Sequence, residues 1–228
     1  MKVKKIPLWF KLFYSAFCAV LIPIYLRDYG WTNFLYFSDI ALLATLVAIW
    51  LESPLLASLP AVGILLPQCV WVVDLSLTGL GLPSTGTTGY MFSKTIPIFT
   101  RFLSFYHAWL PLAIVFVVWR VGYDKRALRL WTVIAWVVFL ISYFLMPAPP
   151  APESNPNLPV NLNFAYGVGD LAAQTWMHPL AWLAMLMVLF PVLIFYPTHL
   201  ALSRFAPQAG VEPALSVEPA VSAEAHLS

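Results

Sequence analysis

Four side chains carry most of the chemistry this sequence can offer: Asp39, Asp74, His107 and His178. Ionisable groups inside apolar helical stretches are costly, and they mark functional sites by default. An imidazole oriented by a carboxylate becomes a general base near neutral pH. With a hydroxyl or thiol beside it, here Ser104 or Cys69, the same pair supports acyl transfer. Two His and two Asp are also acceptable ligands for zinc or iron. No H-E-x-x-H, H-x-x-x-H or C-x-x-C spacing is present, so a metal would draw its ligands from four separate helices. The metal question stays open on these residues, and no cofactor is implied.

The elements that position the four follow from composition. Of 228 residues, 61% are hydrophobic and 10% charged, against about 25% charged in an ordinary soluble domain. A soluble fold of this size could not hide the surplus apolar surface, so the solvent is a bilayer. This excludes a soluble enzyme, a disordered chain and a disulfide-stapled secreted domain. Cys18 and Cys69 both lie in apolar runs, and a net charge of +2, scattered along the chain, gives no footprint for nucleic acid.

The expected fold class is all-α, a polytopic bundle of six transmembrane helices. Stretches long enough to span run over 6–26, 33–51, 55–77, 102–121, 130–146 and 177–201. Pro60 and Pro67 are expected to break the third, and prolines also fall inside the first, fourth and sixth. A membrane bundle tolerates these where neighbouring helices satisfy the freed carbonyls. The first stretch has a basic start, but Lys11 interrupts it and no small-residue cleavage site follows, so it reads as a retained anchor.

Charges outside the spans set the expected orientation. With the N-terminus cytoplasmic, nine Lys and Arg fall inside, among them the cluster Lys125, Arg126 and Arg129. Only Arg27, Lys94 and Arg101 fall outside. Six spans return the C-terminus to the cytoplasm. Trp9, Trp31, Trp50, Trp119, Trp131 and Trp176 fall near span ends, as an interfacial belt requires. The long outer connections, 78–100 and 147–176, are where a lid or binding surface would be built. The segment 206–228 carries a near-repeat of Val-Glu-Pro-Ala and reads as a disordered cytoplasmic tail.

In this topology the four ionisable residues share one depth. Asp39 lies six residues into the second span and His107 six residues beyond Arg101, about 9 Å of helix in each case. Asp74 ends the third span and His178 begins the sixth, both on the outer side. Asp170, Gln174 and His178 fall at i, i+4 and i+8, one polar stripe if Asp170 opens a helix. Asn161, Asn163 and Tyr166 precede them. The competing reading is that these groups only hydrogen-bond across helices and hold the bundle together.

Two stretches resemble the YwaF-like bacterial integral membrane proteins. One is Asn161-Leu162-Asn163-Phe164-Ala165-Tyr166, leading through Trp176-Met177-His178-Pro179-Leu180 into the last span. The other is Phe105-Tyr106-His107-Ala108-Trp109-Leu110-Pro111-Leu112 in the fourth. The resemblance covers the fourth to sixth spans. It implies acyl-lipid chemistry of the kind a vertebrate relative of that family performs with a Cys/His pair. His107 is the residue it transfers, and no cysteine here aligns with the nucleophile.

The expected function is therefore a lipid- or acyl-acting membrane enzyme. His107 would be base or ligand, and Asp39, Asp74 and His178 would orient it, balance its charge or share a ligand. Its partners would be membrane lipids, with a lipid or acyl substrate and no nucleic acid. A small-solute or proton-coupled carrier and a non-catalytic scaffold are the alternatives. The carrier is disfavoured by the absence of a recognisable inverted repeat and by the scarcity of polar residues towards the inner face.

Overall fold

The structure is a computed structural model, and it describes residues 5–210. Those residues form eight helices. They are α1 (Leu8–Asp28), α2 (Phe37–Leu51), α3 (Pro54–Gly79), α4 (Ile98–Leu103), α5 (Tyr106–Val121), α6 (Ala127–Phe144), α7 (Pro179–Phe190) and α8 (Tyr196–Phe205). Helices α4 and α5 run on as one stretch, as do α7 and α8, giving six apolar rods. Five are long and apolar enough to cross a bilayer. The sixth, α2, has 15 residues, about 22 Å at 1.5 Å per residue. No strand occurs among the described residues. The protein is a multi-pass helical membrane bundle.

The outer rods bury one stripe and expose the rest, whereas α3 is buried on all sides from Ala57 to Ile64. On α1 the buried side chains are Phe10, Tyr14, Cys18, Leu21 and Tyr25, at three- and four-residue spacing. Leu8, Trp9, Leu12, Phe13 and Val20 of the same helix are exposed. That much exposed apolar surface is sustainable only against lipid. Helix α3 is the hub, in contact with α2, α5, α6 and α8.

Three expectations are corrected. Helix α3 is not broken: it runs unbroken through Pro60 and Pro67. Second, the chain from Asn33 does not enter directly as α-helix. Trp31–Leu35 forms a 3₁₀ turn, and α2 begins only at Phe37. Third, Trp131 is not interfacial. Its indole is 1% exposed and lies flat on Gly63, where a Cβ would come within 1.9 Å of the ring. Only glycine lets α6 approach α3 this closely. Trp9, Trp31, Trp50, Trp119 and Trp176 are exposed, as a belt would have them.

The last rod shows how a proline is accommodated. Pro191 cannot donate to the Met187 carbonyl, and the helix widens to π geometry over Pro191–Phe195. The indole N–H of Trp136 on α6 donates to that carbonyl at 2.7 Å, so a neighbouring helix supplies the missing partner.

The two ends of the bundle are fastened differently. At one end Glu52, in the left-handed conformation after α2, accepts from Lys11 Nζ at 2.6 Å and from the Ile6 amide at 3.2 Å. Tyr123 Oη pairs with His199 Nδ1 there at 2.7 Å. The expected tail starts on this end as well. Its first residues dock on the bundle, with Tyr123 N donating to Pro207 O and Ala209 N to Tyr123 O. The remainder, 211–228, lies outside the described residues.

At the other end the connection 147–178 is tied down by two asparagines. Asn163 Oδ1 accepts from the Phe37 amide at 3.0 Å, supplying α2 with the cap its own sequence lacks. Its Nδ2 donates to Leu35 O and to Ser142 Oγ. Asn161 accepts from the Tyr166 amide and donates to the Gly167 and Gly169 carbonyls. Asn161, Asn163 and Phe164 all have positive φ, a conformation that is strained for Phe.

Candidate functional site

The Asn-fastened end carries the polar residues, and their contacts divide the four candidates. Asp74, on the last turns of α3, is buried and fully engaged. Its carboxylate accepts from the backbone amides of Thr85 and Thr88 and from the hydroxyls of Thr85, Thr87 and Thr88. The Gly/Thr-rich run of the 78–100 connection is thus wrapped around one carboxylate, which has no lone pair left facing a substrate. Asp74 is a clasp. That clasp precedes the 3₁₀ turn Gly89–Phe92, which brings Tyr90 within reach of Trp71, Ser104, Tyr29 and Asp39.

His178 is exposed and caps α7, its Nδ1 accepting from the Leu180 amide at 3.3 Å. The segment before it is not helical, so Asp170, Gln174 and His178 do not form a stripe. Gln174 closes a local loop on Met177 instead, and Asp170 accepts from Asn161.

Asp39 and His107 are brought together through Tyr106. The His107 ring stacks on Tyr106 at 4.1 Å and on Trp71 at 4.7 Å between centroids. Its Nδ1 lies 3.1 Å from Gln68 Oε1. With that oxygen accepting, the proton is on Nδ1 and Nε2 carries the lone pair. The phenol of Tyr106 is fully buried and has Asp39 and Ser38 as neighbours. Asp39, 3% exposed, accepts from Asn33 Nδ2 at 3.2 Å through Oδ2 only.

Around this pair lies a concentration of unmet hydrogen bonding. Six buried side-chain N or O atoms among the described residues have no partner, and five are Asp39 Oδ1, Tyr106 Oη, Tyr29 Oη, Thr32 Oγ1 and Arg101 Nε. The sixth, Trp131 Nε1, is at the Gly63 contact. The five come from α2, α5, the end of α1, the following 3₁₀ turn and α4, all at the same end of the bundle. Tyr25 adjoins the cluster: its ring packs edge-on against Tyr29 at 5.2 Å and its hydroxyl meets Ser104 Oγ at 2.7 Å. Tyr29 lies within electrostatic reach of both Asp39 and Arg101. Buried polar atoms are normally satisfied, within the chain or by ordered water, and Tyr106 and Asp39 are near enough to pair with each other, so this cluster concentrates hydrogen-bonding capacity at one end of the bundle. It offers one carboxylate acceptor and four donors.

The nucleophiles considered from sequence are not in place beside His107. Ser104 is engaged with Tyr25 and the Thr100 carbonyl, and the exposed Cys69 makes no hydrogen bond to the imidazole. Among the described residues no hydrogen bond joins any two of Asp39, Asp74, His107 and His178. No group of three His, Cys, Asp or Glu there could hold a metal ion.

Sequence reasoning missed the tyrosines. Tyr25, Tyr29, Tyr90 and Tyr106 were indistinguishable from interfacial aromatics, although Tyr25 and Tyr29 at i, i+4 was a legible one-face signal. Fold and site together define a multi-pass membrane protein with a cluster of buried polar side chains at one end. No family model, curated protein or solved structure matches the chain.

Proposed function

We propose that this protein acts on a lipid or acyl substrate, holding its polar group in the Asp39–Tyr106 chamber while His107 accepts a proton. The observation that carries this reading is the set of five unpartnered buried polar atoms beside a stacked imidazole with a free Nε2. Asp39 is the acceptor for a cationic or hydroxyl portion of the ligand. Arg101, Tyr29, Thr32 and Tyr106 are donors for its oxygens.

Because no protein hydroxyl or thiol pairs with His107, hydrolysis through an activated water fits better than acyl transfer through a protein nucleophile. A carrier is less well supported. Below the chamber, Leu21, Leu42, Ile49, Ile64, Leu110 and Ile114 pack the bundle without exposure, and Tyr14 and Thr45 spend their hydroxyls on helix carbonyls. The chamber faces the outside of the cell in this proposal, since the opposite end carries Lys5, Lys125, Arg126, Arg129 and Arg204.

The test is reconstitution in vesicles of mixed phospholipids, with release of fatty acid and of soluble headgroup followed over time. His107→Ala and Asp39→Asn are expected to lower the rate by about 10²-fold or more, while His178→Gln leaves it within about twofold. Equal rates in all three variants, or no turnover by the parent chain on any lipid class, would overturn the proposal.

A further inference from the structure

A second site lies where α6 ends and α7 begins, in a cleft of about 240 Å³. It is lined by the buried Ala165 and Trp182 and by Tyr143 and Tyr166, whose rings stack at 5.1 Å. Ala148, Ala173 and Pro179 form an exposed rim. The polar atoms of this lining are already used within the chain. Tyr166 Oη donates to the Tyr143 and Met146 carbonyls. Trp182 Nε1 donates to Phe164 O at 2.8 Å. Gln174 exchanges both amide bonds with Met177. What remains facing the cleft is aromatic rings and alanine methyls, so a polar ligand would lose its hydration without compensation.

Left-handed Asn161, Asn163 and Phe164 form the turn that leads directly into the lining residues Ala165 and Tyr166. At Gly167, with φ of 152°, a Cβ would stand 3.0 Å from the Gln174 amide nitrogen, so glycine is required for the rim to close on the turn. Exposed Phe144, Leu145, Trp176 and Leu180 lie within a few residues of the lining in sequence, apolar and interface-preferring side chains of the kind that face lipid.

We infer that this cleft binds an alkyl chain, the hydrocarbon portion of a fatty acid or lipid. The choice of ligand rests on the lipid-acting reading above, whereas the binding itself does not require turnover. The experiment uses the full chain in vesicles and a bromine-terminated medium-chain fatty acid as quencher. Parent protein should show a saturable component of tryptophan quenching that disappears in Trp182→Phe. Ala173→Phe, which adds bulk at the exposed rim without adding a tryptophan, should weaken that component roughly tenfold (about 1.4 kcal/mol). His107→Ala should leave it unchanged, so a failed activity assay and a failed cleft are told apart. Quenching that rises linearly with fatty acid, or that is the same in parent and Ala173→Phe protein, would mean bilayer partition alone and would overturn the inference.

Discussion

Residue chemistry separates groups that look equivalent in the sequence. Asp39 and Asp74 are both buried carboxylates near one end of the bundle, yet one keeps an unpartnered oxygen and the other accepts five hydrogen bonds. Removing a buried acceptor leaves each donor with its full desolvation penalty. Asp74→Ala should therefore cost about 2–4 kcal/mol, with fast hydrogen exchange at the Thr85 and Thr88 amides as its local signature. Asp39→Ala should be far milder for stability, since it loses a single bond from Asn33.

Glu52 gives a pH prediction. Lys11 beside it, helped by the Ile6 amide, holds its carboxyl below the usual range. A lowered folded value contributes stability that is complete above the unfolded pKa, about 4.3 for Glu, and is lost as pH falls through the folded value. Glu52→Gln should therefore destabilise at pH near 7 and approach the parent's stability under strongly acid conditions, checked by thermal unfolding across pH. A constant deficit at every pH would show that packing, and not charge, is what Glu52 supplies.

Elements are the scale at which sequence reading was most often revised. Length and hydropathy located all six rods, because a spanning helix must be long and apolar whatever it packs against. The effect of each proline was not legible, because it depends on a second helix. Pro191 is accommodated by Trp136, fifty-one positions from the carbonyl it serves. Helix α2 starts at Phe37, and its cap comes from Asn163, remote in sequence.

Gly63 is the sharpest element-scale test. Gly63→Ala places a methyl inside the Trp131 ring. It should destabilise the α3–α6 packing by about 3 kcal/mol, measured by denaturation in detergent. Trp131→Phe in the same chain should recover part of that loss, because it removes the indole atoms that collide. No recovery would place the strain in the α3 backbone instead.

The whole molecule is polarised, with a basic end closed by Lys11–Glu52 and Tyr123–His199 and an opposite end holding the chamber and the cleft. The proposed orientation is checked by cysteine labelling in intact cells, in a Cys18→Ala, Cys69→Ala background. A cysteine at Ser84 should react with a membrane-impermeant maleimide from outside, and one at Lys125 only after permeabilisation. The reverse pattern would invert the topology and place the chamber in the cytoplasm.

Class and membrane residence follow from the sequence alone, since 10% charge and 61% apolar content leave no other solvent for the surface. The shared depth expected of Asp39 and His107 was counted from assumed span ends, and the structure moves both: Asp39 falls in the first turn of α2, after a 3₁₀ turn, and His107 nine residues into the α4–α5 rod. Tertiary structure decided which candidates meet. Asp39 and His107 share Tyr106, while Asp74 grips a loop and His178 caps a helix. Depth along a helix is a one-dimensional quantity that residue counting supplies once the helix ends are known. Which way a side chain turns, and which hydroxyl from a distant loop reaches it first, depends on contacts between segments the sequence does not place side by side.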